Sequence, residues 1–181
     1  MHPAKKHGAD GPGSPLPLCL ADGRRGLIRP PAAGDLPALR RIYLQARCAA
    51  FDWMDRSAFA PEDFERDTRG ERVWVAALEE TAIGFASAWE SERFIHHLYV
   101  HPDHQGQGAG GALLDACLDG LGRTAALKCL ARNQPAVDFY LDRGWYAVAR
   151  DESPEGPYLL MHYAENPPTH RAEAARPPGR P

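Results

Sequence analysis

The sequence lacks long apolar runs, an excess of basic charge and paired cysteines. Each of these absences argues against one class of function. No stretch approaches the roughly 18 apolar residues of a membrane-spanning helix, and the first residues do not resemble a secretory signal. The 21 basic and 24 acidic residues give a net charge of −3, which does not favour nucleic acid as a partner. We therefore expect a cytoplasmic protein that binds neither a membrane nor nucleic acid.

The few cysteines and the scattered histidines do not predict a metal site or a disulfide framework. The four cysteines are Cys19, Cys48, Cys117 and Cys129. None belongs to a CxxC pair, so we expect reduced thiols. His97, His101 and His104 straddle a predicted strand and a loop, with no helix to align them, so we predict no metal.

Length and local composition predict one domain between two tails. A chain of 181 residues with 44% hydrophobic residues can bury a substantial core. Residues 1–22 and 165–181 are rich in glycine, proline and charge, which predicts flexible tails around a domain at 23–164.

Hydrophobic periodicity within 23–164 predicts an α/β fold with a mixed sheet. Strands are predicted at 26–29, 73–78, 82–89, 94–100, 125–131, 146–150 and 158–163. Helices are predicted from about 35, 61, 108 and 133. The strand–helix–strand run in the second half predicts parallel pairing, whereas the hairpins on either side predict antiparallel pairing.

A glycine-rich turn at 105–110 follows the strand at 94–100 and opens a helix. Glycines let the backbone approach a bulky anion, which the free amides and the helix dipole then hold. No GK[ST] follows, so the turn is not a P-loop, and no acidic residue stands where a dinucleotide fold needs one. Tight packing of strand against helix is an alternative reason for the glycines.

Two separate signatures make the chain resemble the GNAT superfamily of N-acetyltransferases over roughly residues 26–163. Gln105, Gly108 and Gly110 meet the acyl-CoA signature [QR]-x-x-G-x-[GA], with Gly106 as the usual extra glycine. The run ARNQPAVDFYLDRGWYAV resembles the second signature, an Asn-opened helix that carries Phe-Tyr and ends at Gly. Gln105 stands where Arg is commoner, and Ala109 where a larger aliphatic residue is usual.

The resemblance implies a GNAT fold and an enzyme that moves an acetyl group from acetyl-CoA to a primary amine by direct attack. It implies that amides of the glycine turn hold the pyrophosphate, while the preceding strand runs alongside the pantetheine arm. The implied cofactor residues are Leu98, Tyr99, Val100, Gln105, Gly106, Gln107, Gly108, Ala109, Gly110, Asn133 and Tyr140. It also implies that Tyr140 protonates the leaving thiolate, a step that a phenol near pKa 10 can perform.

The acceptor amine needs a base, and two histidines are the candidates. A lysine-like amine has a pKa near 10.4, so neutralising it at pH 7 costs about 4.6 kcal/mol. Many family members use a Glu on the central strand, but residues 94–97 contain none. His96 and His97 are the natural substitutes. Strand alternation predicts that they point to opposite faces, so at most one reaches the acceptor. A purely structural role for both stays open.

The sequence says less about the acceptor. Asp52 and Trp53 follow the first helix, where relatives often line the acceptor side, and Glu90 is a further candidate through water. The acceptor could be a small amine, an amino acid, an antibiotic-like compound or a protein amine. A homodimer stays open. The alternatives are a non-catalytic acyl-CoA sensor and, less favoured, a dinucleotide-dependent oxidoreductase.

Overall fold

The computed structural model describes residues 14–165, which fall into two compact units that meet in sequence at Gly122 and Arg123. The outer parts of both predicted tails, 1–13 and 166–181, lie outside the described residues. Within residues 14–165, no helix is long and apolar enough to cross a membrane.

Over residues 14–122, the first unit is a five-stranded antiparallel sheet with three helices. Its strands, in spatial as well as sequence order, are β1 (Leu16–Cys19), β2 (Arg25–Arg29), β3 (Arg72–Leu78), β4 (Thr81–Trp89) and β5 (Phe94–Val100). Its helices are α1 (Leu36–Ala50), α2 (Asp63–Asp67) and α3 (Ala109–Gly120). Short 3-10 turns lie at Arg56–Ala58 and Pro102–His104.

Helices α1 and α3 pack on opposite faces of this sheet. Val75 belongs to the buried cluster that contains Leu39 and Ile42 of α1. Its neighbour Trp74 approaches α3, since a Cβ on Gly120 would lie 2.8 Å from the indole. Because successive strand residues alternate in direction, the odd-numbered positions of β3 face α1 and the even-numbered positions face α3.

The predicted N-terminal tail, residues 1–22, contains strand β1, so the folded domain begins before residue 23. Leu16–Cys19 pairs with β2, and Leu18 is only 1% exposed. The amide of Ala21 also donates to the carbonyl of Gln107 at 2.9 Å. Proline and glycine around this segment concealed a strand too short to show a clear alternation.

Over residues 123–165, the second unit is a three-stranded antiparallel sheet with one helix. It contains β6 (Thr124–Leu130), α4 (Gln134–Leu141), β7 (Tyr146–Ser153) and β8 (Gly156–Ala164), and β8 lies between β6 and β7. The predicted N-cap of α4 is confirmed, because the Asn133 side chain accepts a hydrogen bond from the Ala136 amide at 3.3 Å. Gly144 has a φ of +81°, as predicted for a residue that ends this helix.

Candidate active site

Within the described part of the chain, the turn between β5 and α3 presents a row of unpaired backbone amides. Gly106 and Gly108 have φ angles of +71° and +97°, which bend the chain into the concave form that binds anions. The first hydrogen bond of the helix runs from the Ala112 amide to the Gly108 carbonyl at 3.1 Å. Among the described residues, no carbonyl accepts from the amides of residues 106–111.

Space and charge at this turn fit a phosphate group. A Cβ on Gly106 would meet no atom within 4 Å, and one on Gly108 would meet only the carbonyl of Cys19, at 4.0 Å. The first turn of α3 has no acidic residue, so the positive end of the helix dipole is not neutralised there.

Two glutamines brace the turn through hydrogen bonds to the first unit. Gln105 Nε2 donates to the Val100 carbonyl at 3.0 Å. Gln107 Oε1 accepts from Arg24 Nη2 at 2.7 Å, which ties the turn to the β1–β2 hairpin. These contacts fix the positions of the amides before any ligand arrives, and such preorganisation favours binding.

Close packing of α3 onto the sheet is served by a different glycine. A Cβ on Gly84 in β4 would lie 2.9 Å from the Tyr99 carbonyl and 3.2 Å from Leu113 of α3. No such collision would arise at Gly106 or Gly108. The packing alternative for the turn therefore loses support, since the tight contact between helix and sheet lies elsewhere.

A β-bulge contradicts the prediction that His96 and His97 point to opposite faces. Ser87 pairs with His97 and Ala88 pairs with Ile95, so His96 is an extra residue without a partner on β4. A bulge of this kind breaks the alternation and lets adjacent side chains share a face. The two imidazole centroids are 5.9 Å apart, and both rings lie on the side of the sheet that faces α1.

His97 is enclosed by aromatic rings. Its ring packs edge-on against Tyr43 of α1 at 5.3 Å and lies 6.1 Å from the ring of Tyr99. Burial lowers the pKa of His97 below its ordinary value of 6.5, although Glu71 nearby opposes the shift. His97 is therefore neutral at pH 7. Within residues 14–165, its buried Nδ1 has no hydrogen-bond partner.

His96 contacts a carboxylate that sequence reasoning missed. Its Nδ1 forms a short hydrogen bond with Oε1 of Glu71, the residue before β3. The Glu71 side chain is 0% exposed, whereas that of His96 is 36% exposed. The other Glu71 oxygen accepts from the Ser87 hydroxyl at 2.5 Å. The available signal was alternation: Glu71 continues the α1-facing side of Val73 and Val75, where a charged residue is unusual.

Glu71, His96 and His97 together have the donor set of a metal site. One carboxylate oxygen and one nitrogen from each ring lie within 4.8 Å of one another. This is a different set from the trio of His97, His101 and His104 considered from the sequence. His101 instead accepts a hydrogen bond from the Asp103 amide at 3.2 Å.

The three predicted acceptor residues lie on the first unit in different environments. Asp52 is exposed, and Trp53 packs edge-on against Phe51 at 5.6 Å. Glu90 is exposed and accepts a hydrogen bond from Arg72 at 2.8 Å. The salt bridge to Arg72 already occupies the Glu90 carboxylate.

Tyr140 and Asn133 lie on the second unit. Tyr140 is 9% exposed, and its ring packs edge-on against Phe139 at 5.2 Å and Trp145 at 5.5 Å. These contacts fix the ring, and with it the direction of the hydroxyl. The Asn133 oxygen serves the helix cap described above.

The buried thiols are poor nucleophiles. Burial raises the pKa of Cys117 to about 12 and that of Cys129 to about 11. A thiol attacks as its thiolate, so neither group is activated at neutral pH. Cys19 is exposed and Cys48 is partly exposed.

Comparisons with known proteins point to one family. The model of the acetyltransferase (GNAT) family matches residues 37–145. No curated protein sequence matches the chain. A GCN5-related N-acetyltransferase from Rhodopseudomonas palustris has a similar structure, with a TM-score of 0.66 and 21% identity over 84% of this chain and 99% of that one.

Two further solved structures resemble the chain. The ribosomal-protein-S18-alanine N-acetyltransferase of Escherichia coli has a TM-score of 0.58 and 21% identity, over 76% of this chain and 92% of that one. The PaiA N-acetyltransferase of Thermoplasma acidophilum, in complex with coenzyme A, has a TM-score of 0.59 and 15% identity, over 74% of this chain and 96% of that one. At these identities the likeness shows the fold, and it confirms the predicted α/β class with a mixed sheet.

Proposed function

The chain belongs to the acetyltransferase (GNAT) family, and from that premise we propose that it moves an acetyl group from acetyl-CoA to a primary amine by direct attack. The observation that carries the proposal is the row of amides at residues 106–111, which no carbonyl of the described residues satisfies. Unpaired amides at a helix N-terminus suit the pyrophosphate of coenzyme A.

The cofactor lies along the strand and turn in this proposal. The amides of Gly106, Gln107, Gly108, Ala109 and Gly110 surround the pyrophosphate, and the main chain of Leu98, Tyr99 and Val100 accompanies the pantetheine arm. Gln105, whose amide donates to the Pro102 carbonyl, braces the turn that holds these amides. Asn133 is a further cofactor residue by the family resemblance. The open space beside Gly106 and the absence of acid in the first turn of α3 support the assignment.

Transfer then needs one bond to form and one to break. The amine nitrogen attacks the thioester carbon, the carbon–sulfur bond breaks, and the thiolate takes a proton from the Tyr140 hydroxyl. The nitrogen releases one proton as the amide forms, and through solvent that proton restores the Tyr140 hydroxyl. A free thiol has a pKa near 8.5, so a phenol can donate as charge develops on sulfur. The high pKa values of Cys117 and Cys129 support direct attack over an acyl-enzyme route.

Of the two histidine candidates, His96 is the better base. His97 lies within a shell of aromatic rings, and its buried Nδ1 is sealed from solvent. The partly exposed ring of His96 can meet an incoming amine or a relaying water. It lies two residues before Leu98, or about 7 Å along the strand that accompanies the pantetheine arm.

The acceptor is a small or protein amine that approaches the face of the sheet covered by α1. Trp53, Asp52 and Glu90 are the candidates for its recognition. Exposed Asp52 can attract a cationic amine without first breaking an ion pair. Glu90 would have to exchange Arg72 for the acceptor, so we place it second to Asp52.

A screen of amines against acetyl-CoA tests this function. Purified protein is incubated with acetyl-CoA and with single amines, amino acids or peptides, and both free thiol and acetylated product are measured. The expected result is amine-dependent thiol release matched by one acetylated product. Binding of acetyl-CoA without turnover on any amine would favour the sensor alternative, and tighter binding of NAD than of acetyl-CoA would contradict the proposed cofactor.

A further inference from the structure

Glu71 and His96 come together across the sheet through a specific irregularity. They stand 25 positions apart in sequence and lie at β3 and β5, with β4 between them. Neighbouring strands are about 4.8 Å apart, so two spacings separate the backbones. The bulge at His96 turns its ring towards the α1 side, where it meets Glu71 beside Ser87.

The burial of Glu71 requires a positive or donating partner. A carboxylate without exposed area is costly unless hydrogen bonds and an opposite charge compensate it. Within residues 14–165, no lysine or arginine forms an ion pair with Glu71, and its side chain bonds to the Ser87 hydroxyl and the His96 ring. Ser87 is itself fully buried. The hydrogen bonds from Ser87 and from the His96 ring therefore compensate the buried carboxylate.

The Glu71 contact also decides which nitrogen of His96 is free. A carboxylate only accepts hydrogen bonds, so Nδ1 carries the shared proton and Nε2 keeps its lone pair. Trp89 Nε1 approaches the same Nδ1 at 3.1 Å, but a protonated Nδ1 cannot accept from it. The contact with Glu71 is the shorter of the two, which favours the tautomer with a basic Nε2.

We propose that Glu71 is the positioning residue of an acid–base pair in which His96 removes a proton from the acceptor amine. The inference rests on the acetyl transfer proposed above and assigns its base. His96 Nε2 takes a proton from the ammonium group, directly or through one water, and becomes imidazolium. The lone pair of the neutral amine nitrogen then attacks the thioester carbon. The proton held on His96 Nε2 later passes to solvent.

The charges around His96 agree with this role. Glu71 is the anion that faces it from the β3 side, and Ser87 and Trp89 of β4 are uncharged. His97 on β5 is neutral at pH 7, so it adds no competing positive charge. The imidazolium is thus formed beside one carboxylate, which stabilises it through a charge-assisted hydrogen bond.

The decisive variant is Glu71→Gln, which keeps the size and an accepting oxygen but removes the charge. We expect kcat to fall about tenfold or more while the Kd for acetyl-CoA is unchanged. Glu80→Gln, on the exposed β3–β4 turn, is the matched control and should change neither quantity.

A measurement that does not depend on turnover tests the pairing of Glu71 with His96 independently of the proposed acetyl transfer. Imidazole nitrogen NMR of the full chain should show the Nδ1–H tautomer of His96 in the parent protein and a loss of that preference in Glu71→Ala. The proposal is overturned if the parent shows the Nε2–H tautomer, or if Glu71→Gln keeps the rate of an active parent. An inactive parent with the expected tautomer would instead count against the acetyl transfer.

Chelation distinguishes the pair from a metal centre built on the same residues. The parent protein is dialysed against a chelator and assayed before and after zinc is added. Full activity in the metal-free protein is expected. Loss of activity that zinc restores would show a metal requirement, for which Glu71, His96 and His97 offer the donor set, and it would overturn the proton-transfer role.

Discussion

At the scale of single residues, burial decides what each candidate can do. His96 and His97 are adjacent and chemically identical, yet one is partly exposed beside a carboxylate and the other lies among aromatic rings. Cys117 and Cys129 lose reactivity for the same reason, since burial disfavours the thiolate. The residue type alone therefore predicts a set of candidates, and the surroundings select among them.

Tyr140→Phe tests the proposed proton donor. The change removes only the hydroxyl, while the ring keeps its contacts with Phe139 and Trp145. We expect kcat to fall by about 10²-fold, because proton donation to the thiolate is lost, with little change in the Kd for acetyl-CoA. Steady-state kinetics and calorimetric binding measure the two quantities.

Tyr146→Phe is the matched control for that experiment, since Tyr146 lies on β7 beside His162 and has no assigned role. Its kinetics should equal those of the parent. An unchanged kcat in Tyr140→Phe would remove Tyr140 from the mechanism.

At the scale of elements, the junction of β5 with α3 concentrates the chemistry. The strand carries the histidines at a bulge, and its carboxyl end passes directly into the turn that presents the amides. Gly84 lets α3 approach β4 and β5 closely, which fixes the position of the helix N-terminus. A strand, a turn and a helix thus provide both the proposed cofactor seat and the proposed base.

Gly108→Val tests the turn as the cofactor seat. Gly108 has a φ of +97°, so any side chain there is strained. We expect the Kd for acetyl-CoA to rise about tenfold, equivalent to about 1.4 kcal/mol. Isothermal titration calorimetry with acetyl-CoA measures this change.

Gly122→Val separates backbone strain from the loss of the seat. Gly122 also has a positive φ, +76°, with no atom within 4 Å of an added Cβ, and it follows the other end of α3. Both variants should lose thermal stability, but only Gly108→Val should bind acetyl-CoA more weakly. Equal affinity in the two variants would contradict the assignment of the seat.

At the scale of the whole molecule, buried ion pairs link stability to pH. Arg29 and Asp35 join through two hydrogen bonds of 2.6 and 2.9 Å, and Arg47 donates to Asp63 at 2.9 Å. The Arg29 hydrogen bond holds the pKa of Asp35 below its ordinary value of 3.8. Burial alone would raise the pKa of Asp63, but the Ala60 amide and Arg47 keep it lowered.

The sign of these shifts predicts acid unfolding. Because their pKa values are lowered in the folded state, the ionised carboxylates of Asp35 and Asp63 stabilise the protein above pH 3.8. This stabilisation is lost as the pH falls through the folded-state pKa of each group. The free energy of unfolding should therefore stay nearly constant from pH 7 to about 5 and decline below about 4. Asp35→Asn should cost about 3 kcal/mol at pH 7 and flatten that decline.

Denaturant titrations at several pH values measure this effect. Asp115→Asn, an exposed position on α3, is the control and should reproduce the parent curve. A parent whose stability does not change between pH 5 and 3 would contradict the stabilising role of the buried pairs.

The sequence by itself determined most elements and the proposed cofactor seat. The strand at 94–100 coincides with β5, and helix α3 starts within one residue of the prediction, because local periodicity and glycine punctuation specify such elements. The two signatures were enough to make the family recognisable. Strand β1 was not predicted, because its four residues lie among prolines and glycines and are too few to show the alternation of a strand.

Only the tertiary structure decided the surroundings of the histidines. The contact between Glu71 and His96 spans three strands and depends on one extra residue in β5. A bulge depends on how two strands pair, so the alternation of a single strand could not reveal it. Local sequence specified which groups are available, and the pairing of distant strands decided which of them meet.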